Sequence, residues 1–330
     1  MQHKNHPYEA LTPDRVIKAI EQTGLHPDAR LYPLNSYENR VYQVGIQDQD
    51  PVVVKFYRPA RWSDQQILEE HEFSLQLQEL EVPVAAPISF ANGSTLLQDD
   101  KFKFAVFPRL PGRAPDVGDP DNLAILGRYI ARVHRIGART NFSHRASITI
   151  VETMKEAAEY LLENDFIPLE LQAAYESLTR DLVDKVAGLV SNQQVVSWHR
   201  IHGDCHLGNV LWFDSTPSFV DFDDAVNGPA VQDLWMLLSG DRNQRQAQLM
   251  ELLDGYTEFN EFNAAELPLI EPLRSMRIMH YSAWLARRWE DPTFPRSFPW
   301  FNTTRYWSEQ ILALREQFAA LDEPPLQVFN

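Results

Sequence analysis

The chain changes its hydrophobic periodicity once, across Pro108 to Gly112, and that single change restricts the folds open to it. Before it, the runs 41–46, 52–57, 94–98 and 102–107 read as strands, separated by polar turns such as 47–50 and Asp99-Asp100. Thr12 followed by Pro13, with Gly24 as the stop, predicts a short helix over 13–23. Ser63 with Gln66 three positions on is a capping box that opens a long helix to about Leu80. Beyond Gly112 the apolar residues recur at helical spacing, as in Leu123, Leu126, Ile130 and Val133, and again within 153–163 and 169–190. Further helices are expected over 229–239, 243–256, 266–289 and 303–321, while 291–300, rich in proline and aromatics, reads as a packed loop. One short apolar hairpin, near 209–222, interrupts this helical half. The expected fold class is therefore α+β in two lobes. A β-sheet lobe with one long helix fills 1–107, a hinge spans 108–112, and a larger, mainly helical lobe fills 113–330.

Size and charge narrow the function. At 330 residues the chain exceeds one typical core, and a hydrophobic fraction of 44% supports a packed globular protein. A net charge of −16 argues against a nucleic-acid surface and against anionic membranes. Cys205 is the single cysteine, so no intramolecular disulfide can form, which fits a reducing cytosol. Residues 1–15 lack the apolar centre of a signal peptide, and no run of about 18 apolar residues occurs. The expectation is a soluble cytoplasmic monomer with no nucleic-acid or membrane partner.

The hairpin region carries the chemistry. It reads His202-Gly203-Asp204-Cys205-His206-Leu207-Gly208-Asn209-Val210-Leu211, with Phe219-Val220-Asp221-Phe222-Asp223-Asp224 closing it. Strands over 209–213 and 219–222, with a turn over 214–218, would return Asp221 to Asn209. Asp204, Asn209 and Asp221 then converge as three oxygen-bearing groups. In phosphoryl transfer of the kinase type, one Asp takes the hydroxyl proton while an Asn and a second Asp hold Mg²⁺. A merely solvated turn fits poorly, because Asp221 would then sit in an apolar strand at a desolvation cost. A calcium loop fails, since the sixth residue from Asp221 is Val226 and the twelfth is Gln232. A zinc site at His202, Cys205 and His206 lacks a second ligand pair. Cys205 reads as a small packing residue rather than a nucleophile.

A second constellation lies in the first lobe. Lys55 stands in Val52-Val53-Val54-Lys55-Phe56-Tyr57 as either an edge-strand gatekeeper or a charge held for a purpose. Glu70 falls on the apolar face of the next helix with Ile67, Phe73 and Leu77, and an inward carboxylate needs a cation. Lys55 can supply it and also meet nucleotide phosphates. The segment Leu34-Asn35-Ser36-Tyr37-Glu38-Asn39 contains no glycine-rich loop; Ser36, Asn39 and backbone amides either cap phosphate oxygens or form an ordinary polar turn. The hinge residues 107–110 would offer backbone groups to an adenine edge. Asp233 either braces the 202–209 loop or is a first-turn Asp favoured by the helix dipole. His134 and the tryptophans 284, 289, 300 and 307 read as packing.

These motifs resemble the aminoglycoside phosphotransferase and choline kinase superfamily, kinase-fold enzymes that use ATP and Mg²⁺. The blocks Pro33-Leu34-Asn35-Ser36-Tyr37-Glu38-Asn39-Arg40-Val41-Tyr42, Val54-Lys55-Phe56-Tyr57-Arg58-Pro59, Ile67-Leu68-Glu69-Glu70-His71 and Asn227-Gly228-Pro229-Ala230-Val231-Gln232-Asp233-Leu234-Trp235-Met236-Leu237-Leu238 resemble, more narrowly, the bacterial stress response kinase A group. The likeness runs from about residue 8 to Pro325. It implies a Ser/Thr protein kinase that protects cells from stress-triggered death. Asp204 and Asp221 are then catalytic, Asn209 and Asp221 bind Mg²⁺, and Ser36, Lys55 and Glu70 bind ATP. A small-molecule kinase for an amino alcohol, a sugar or an antibiotic is the alternative, and a pseudokinase is a third reading. The acidic overall charge would suit a cationic acceptor. Asp221 is followed by Phe222-Asp223, and no Ala-Pro-Glu segment appears, so control by an activation-loop phosphate is not expected.

Overall fold

A computed structural model describes residues 7–191 and 196–328. Five strands build one antiparallel sheet: β1 (Pro27–Pro33), β2 (Arg40–Ile46), β3 (Gln49–Phe56), β4 (Leu97–Asp99) and β5 (Phe102–Pro108), in the order β1-β2-β3-β5-β4. The expected runs 41–46 and 102–107 lie in β2 and β5, the run 52–57 lies in β3 except for Tyr57, which follows it, and in place of 94–98 the strand β4 starts only at Leu97. β1 was not expected, because Pro27, Asp28 and Pro33 are poor strand formers. At the sheet's edge, however, proline loses no ladder partner. Helix α1 (Pro13–Glu21) is capped by Thr12 and buries Val16 and Ile20 against Val44, Val54, Phe56 and Phe104 of the sheet.

α2 (Asp64–Glu79) opens on the Ser63–Gln66 capping box and crosses one face of the sheet. Its far end belongs to the other core: Phe73 and Leu77 pack with residues of the helical half, among them Leu126, Ile130 and Phe222. Each such buried side chain contributes about 1.5–3 kcal/mol. α2 thus couples the strand-rich part to the helical part through apolar contact.

The helical part comprises α3 (Pro120–Gly137), α4 (Ile150–Glu163), α5 (Leu169–Ser191), α6 (Val231–Trp235), α7 (Arg242–Thr257), α8 (Ile270–Arg287), α9 (Thr293–Ser297) and α10 (Thr304–Ala320). Its core is built from residues such as Met154, Tyr175, Leu252, Met279 and Trp307, with Tyr175 and Trp307 meeting edge to face. Three expectations need correction. The helix placed at 229–239 lasts only from Val231 to Trp235. The one placed at 266–289 begins at Ile270, because Pro268 holds 264–269 in a 3-10 turn. The 291–300 loop contains the short helix α9. Among the described residues, no helix is long and apolar enough to cross a membrane.

Two small antiparallel pairs interrupt the helices: β6 (His199–Ile201) with β9 (Val226–Gly228), and β7 (Val210–Phe213) with β8 (Thr216–Phe219). The second differs from the expected hairpin. Its turn is only Asp214-Ser215, both at positive φ as a two-residue hairpin turn requires, so β8 ends at Phe219.

Candidate active site

A cleft of about 370 Å³ lies where the sheet meets the helical part, and Ser36, Lys55, Glu70, Asn209 and Asp221 all line it. Val41, Val53, Phe107 and Leu211 give it apolar walls suited to a flat ring, and residues 107–110 form one edge, where the hinge was expected.

The wall on the sheet side centres on Lys55. β3 is paired on both sides, Val41 and Ala105 flanking Lys55, so Lys55 is no edge gatekeeper. It is 5% exposed, with Nζ 3.2 Å from Glu70 Oε1, the expected partner, and 3.1 Å from both Asp221 Oδ1 and Asp223 Oδ1. Burial alone would lower the ammonium's pKa. The carboxylates, Asp223 first, outweigh burial and hold it well above the ordinary value. Burial in turn lifts Glu70 above the usual carboxylate range, whereas Lys55, Arg61 and Arg145 overcome burial at Asp223 and hold it far below.

Asp223 is a component that sequence reasoning missed. In a row of acidic residues it looks like a solvated carboxylate, yet it is buried beneath Lys55 and Arg61. Arg145, also buried, ties this region together: its Nε donates to the Ala225 carbonyl at 2.6 Å and its Nη1 to the Gln66 carbonyl at 2.9 Å. The neighbouring Glu69 accepts the amides of Ser143, His144 and Arg145.

The expectation that Asp221 sits in a strand is corrected. Asp221 follows β8 in the left-handed region, φ 60°, and its side chain is 54% exposed. That conformation turns the carboxylate into the cleft instead of burying it, which removes the desolvation argument made from the sequence. Val220 keeps the return path short by donating to the Asn209 carbonyl at 3.0 Å.

The opposite wall is the loop between β6 and β7. Gly203 has φ 82°, and a Cβ there would collide with the Asp224 carbonyl, so only glycine allows the two loops to approach. Asp233 at the start of α6 accepts the His202 amide at 2.9 Å and the Gly203 amide at 2.8 Å, and meets His134 Nε2 at 3.0 Å. The bracing role is therefore the one the fold uses. Burial would raise the Asp233 pKa, but the His134 contact and these amides bring it below the usual value. His134 is wholly buried, as expected, and is also a polar member of this brace. Cys205 is buried, and burial pushes its thiol pKa well up, in keeping with a packing role.

Asp204 lies on the open side of this loop. The Asn209 Nδ2 donates to the Asp204 carbonyl at 2.9 Å, which turns the Asn209 amide oxygen the other way. Arg277 of α8, which the sequence did not single out, reaches Asp204 Oδ1 at 2.7 Å. Asn209 and Asp221 present hard oxygen donors to one cleft, the set Mg²⁺ accepts when phosphates and waters complete its shell. Among the described residues, no group of three or more His, Cys, Asp or Glu is placed to hold a metal by itself. Ser36 lines the cleft while its hydroxyl donates to the Asn39 carbonyl at 2.9 Å, closing the turn. Asn39 is buried and accepts the Arg58 amide, so its side chain serves the turn.

Comparison with known proteins bears on this geometry. A family model described as the phosphotransferase enzyme family matches residues 31–267. The chain belongs to that family. It is 48% identical over 321 residues to stress response kinase A of Escherichia coli K12, covering 97% of each chain. It is 45% identical over 321 residues, again 97% of each, to the serine/threonine protein kinase RdoA of Salmonella typhimurium. Among solved structures, this phosphotransferase resembles an amicoumacin kinase in complex with AMP-PNP, Ca²⁺ and Ami, with a TM-score of 0.74, 19% identity and 96% coverage of each chain. A microcompartment-associated aminopropanol kinase superposes with a TM-score of 0.72 at 17% identity, covering 94% of this chain and 99% of that one. At such identities the structural likeness establishes the kinase-like two-part fold.

Proposed function

We propose that this phosphotransferase moves the γ-phosphoryl group of ATP to a Ser or Thr hydroxyl of a protein, as a cytoplasmic, monomeric kinase of the stress response. The observation that carries the reading is the shared cleft, in which Lys55, Glu70, Asn209 and Asp221 face one another with Asp204 bonded to Asn209. Lys55 would meet the phosphates, steadied by Glu70, and the turn at Ser36 would cover them. Asn209 and Asp221 would hold Mg²⁺, which when bound supplies neutralisation of phosphate charge. Asp204 would orient the acceptor hydroxyl and take its proton. As the acceptor oxygen bonds to the γ-phosphorus, the bond to the β–γ bridging oxygen breaks and its electron pair leaves with ADP. A protein acceptor is supported by the relative named as a serine/threonine protein kinase.

A small-molecule acceptor is the second reading, favoured by the likeness to the amicoumacin and aminopropanol kinases. Incubating the purified chain with γ-labelled ATP, Mg²⁺, mixed proteins and small alcohols separates the two. The expected result is label in protein bands, removed by phosphoserine or phosphothreonine hydrolysis. Label confined to a soluble product would replace the protein reading with the second one. Nucleotide binding without any transfer would make the chain a pseudokinase.

A further inference from the structure

A second pocket, of about 470 Å³, opens beside Asp204 and is lined by three arginines. Arg245 comes from α7, Arg274 and Arg277 come from α8, and apolar groups including Trp235, Leu238 and Ile278 share the wall with them. We propose that this pocket selects an acceptor bearing an anionic group, a carboxylate or a phosphate, beside the hydroxyl that receives the phosphoryl group. The inference deepens the phosphotransferase reading and rests on Asp204 being the proton acceptor.

The charges facing the pocket support it. Arg245 Nη1 lies 3.2 Å and Arg274 Nη1 3.9 Å from the same oxygen of Glu271, whose other oxygen accepts Gln317 at 2.7 Å. Arg277 pairs with Asp204. Three guanidiniums therefore share two carboxylates, and one of those must be released when Asp204 meets an acceptor. Arg245 Nε is buried without a hydrogen-bond partner, and burial lowers the pKa of Arg274. A guanidinium fork matches a carboxylate or phosphate edge and recovers the cost of desolvation when that anion arrives.

The position is also fixed. Arg274 lies over the Trp235 ring, 5.4 Å from its centre. Trp235 Nε1 donates to Gln232 at 3.0 Å, and Gln232 Nε2 donates to the Gly203 carbonyl at 2.9 Å. An anion on Arg274 is thus held at a set distance from the loop that carries Asp204. Overall charge alone favours a cationic acceptor, but this local field has the opposite sign.

The test compares acceptors that differ only in flanking charge. Serine-centred peptides with Glu, Gln or Lys neighbours form one series; glycerol 3-phosphate and glycerate against glycerol and aminopropanol form the other, with ADP release as the readout. The expected result is that anionic acceptors lead by about tenfold or more in kcat/KM, chiefly through KM. Arg274→Gln should remove that lead and Arg274→Lys keep part of it, with ATP KM and the melting temperature reporting an intact fold; Arg245→Gln replaces Arg274→Gln if the latter does not fold. Anionic small alcohols leading while every peptide fails would overturn the protein-acceptor reading and leave this inference standing. Neutral or cationic acceptors leading in either series, or a preference indifferent to both arginines, would overturn the inference. If nothing turns over, calorimetric binding of the Glu peptide decides: no binding, or binding unchanged in the Arg274 and Arg245 variants, overturns it.

Discussion

The two walls of the cleft are built on opposite physical plans. Around Lys55 the charges are paired and mostly buried: Glu70 and Asp223 lie buried against the ammonium, the more exposed Asp221 meets it from the cleft, and Arg61 and Arg145 back the carboxylates. Around Asp204 the backbone is fixed through Asp233, but the side chain is 23% exposed and meets Arg277, itself 44% exposed. The first wall is a set of mutually paired charges fixed by the fold itself. The second holds its main chain rigid and leaves its carboxylate free to change partners. A group that holds phosphates gains from preorganisation, whereas one that exchanges a proton must be reached by the acceptor.

The contrast is tested most strongly by Asp204→Ala. An exposed ion pair contributes little to stability, so unfolding by urea should hardly change, and nucleotide affinity should stay within about threefold. Phosphoryl transfer should fall by about 10³-fold, in the middle of the range for general acid–base catalysis. Loss of nucleotide binding together with transfer would mean that the two walls are not separable.

Lys55→Met should behave in the opposite way. It leaves Glu70 and Asp223 buried without their shared cation, an arrangement that costs about 3–5 kcal/mol. Arg61 and Arg145 remain nearby, so the lower end of that range is expected in urea unfolding, along with weakened nucleotide binding in titration. A stable Lys55→Met chain that still binds nucleotide would show the buried charges to be less interdependent than their geometry indicates.

How much of this was legible beforehand depended on whether a residue's role followed from local periodicity. Lys55 and Glu70 could be paired because a two-residue period and a helical period each point a charge inward, and an inward charge needs a partner. Asp204, Asn209 and Asp221 stood out through spacing, although the hairpin that joins them was misdrawn. Phe219-Val220 looked like a strand continuing to Phe222, and nothing in local propensity announces the left-handed turn at Asp221. Asp223, Arg145 and Arg277 were missed for a different reason. Their meaning comes from groups 73 to 168 residues away in the chain, which no periodicity within one element can reveal. Similarly, the overall charge of −16 concealed a basic pocket beside Asp204.

The smallest expected effect concerns pH and distinguishes the walls by their histidines. His71 sits behind Lys55, with Nε2 2.7 Å from the Tyr57 hydroxyl and Nδ1 2.8 Å from Thr95 Oγ1, and burial pushes its pKa down to about 3. In the unfolded chain an ordinary histidine protonates near pH 6.5. Below that pH the unfolded state gains a proton that the folded state refuses, so this stability is present above pH 6.5 and is lost as pH falls towards 3. One such group removes up to about 1.4 kcal/mol per pH unit, or roughly 2 kcal/mol by pH 5. His71→Gln should therefore have a shallower decline in unfolding free energy between pH 6.5 and 5 than the parent chain. His206, 41% exposed on the Asp204 side, offers the comparison: burial lowers its pKa too, so His206→Gln should alter that slope in the same direction but by less than His71→Gln. Equal slopes for the parent and His71→Gln would mean that water reaches the back of the Lys55 wall, and the difference between the two walls would then be one of charge pairing rather than of burial.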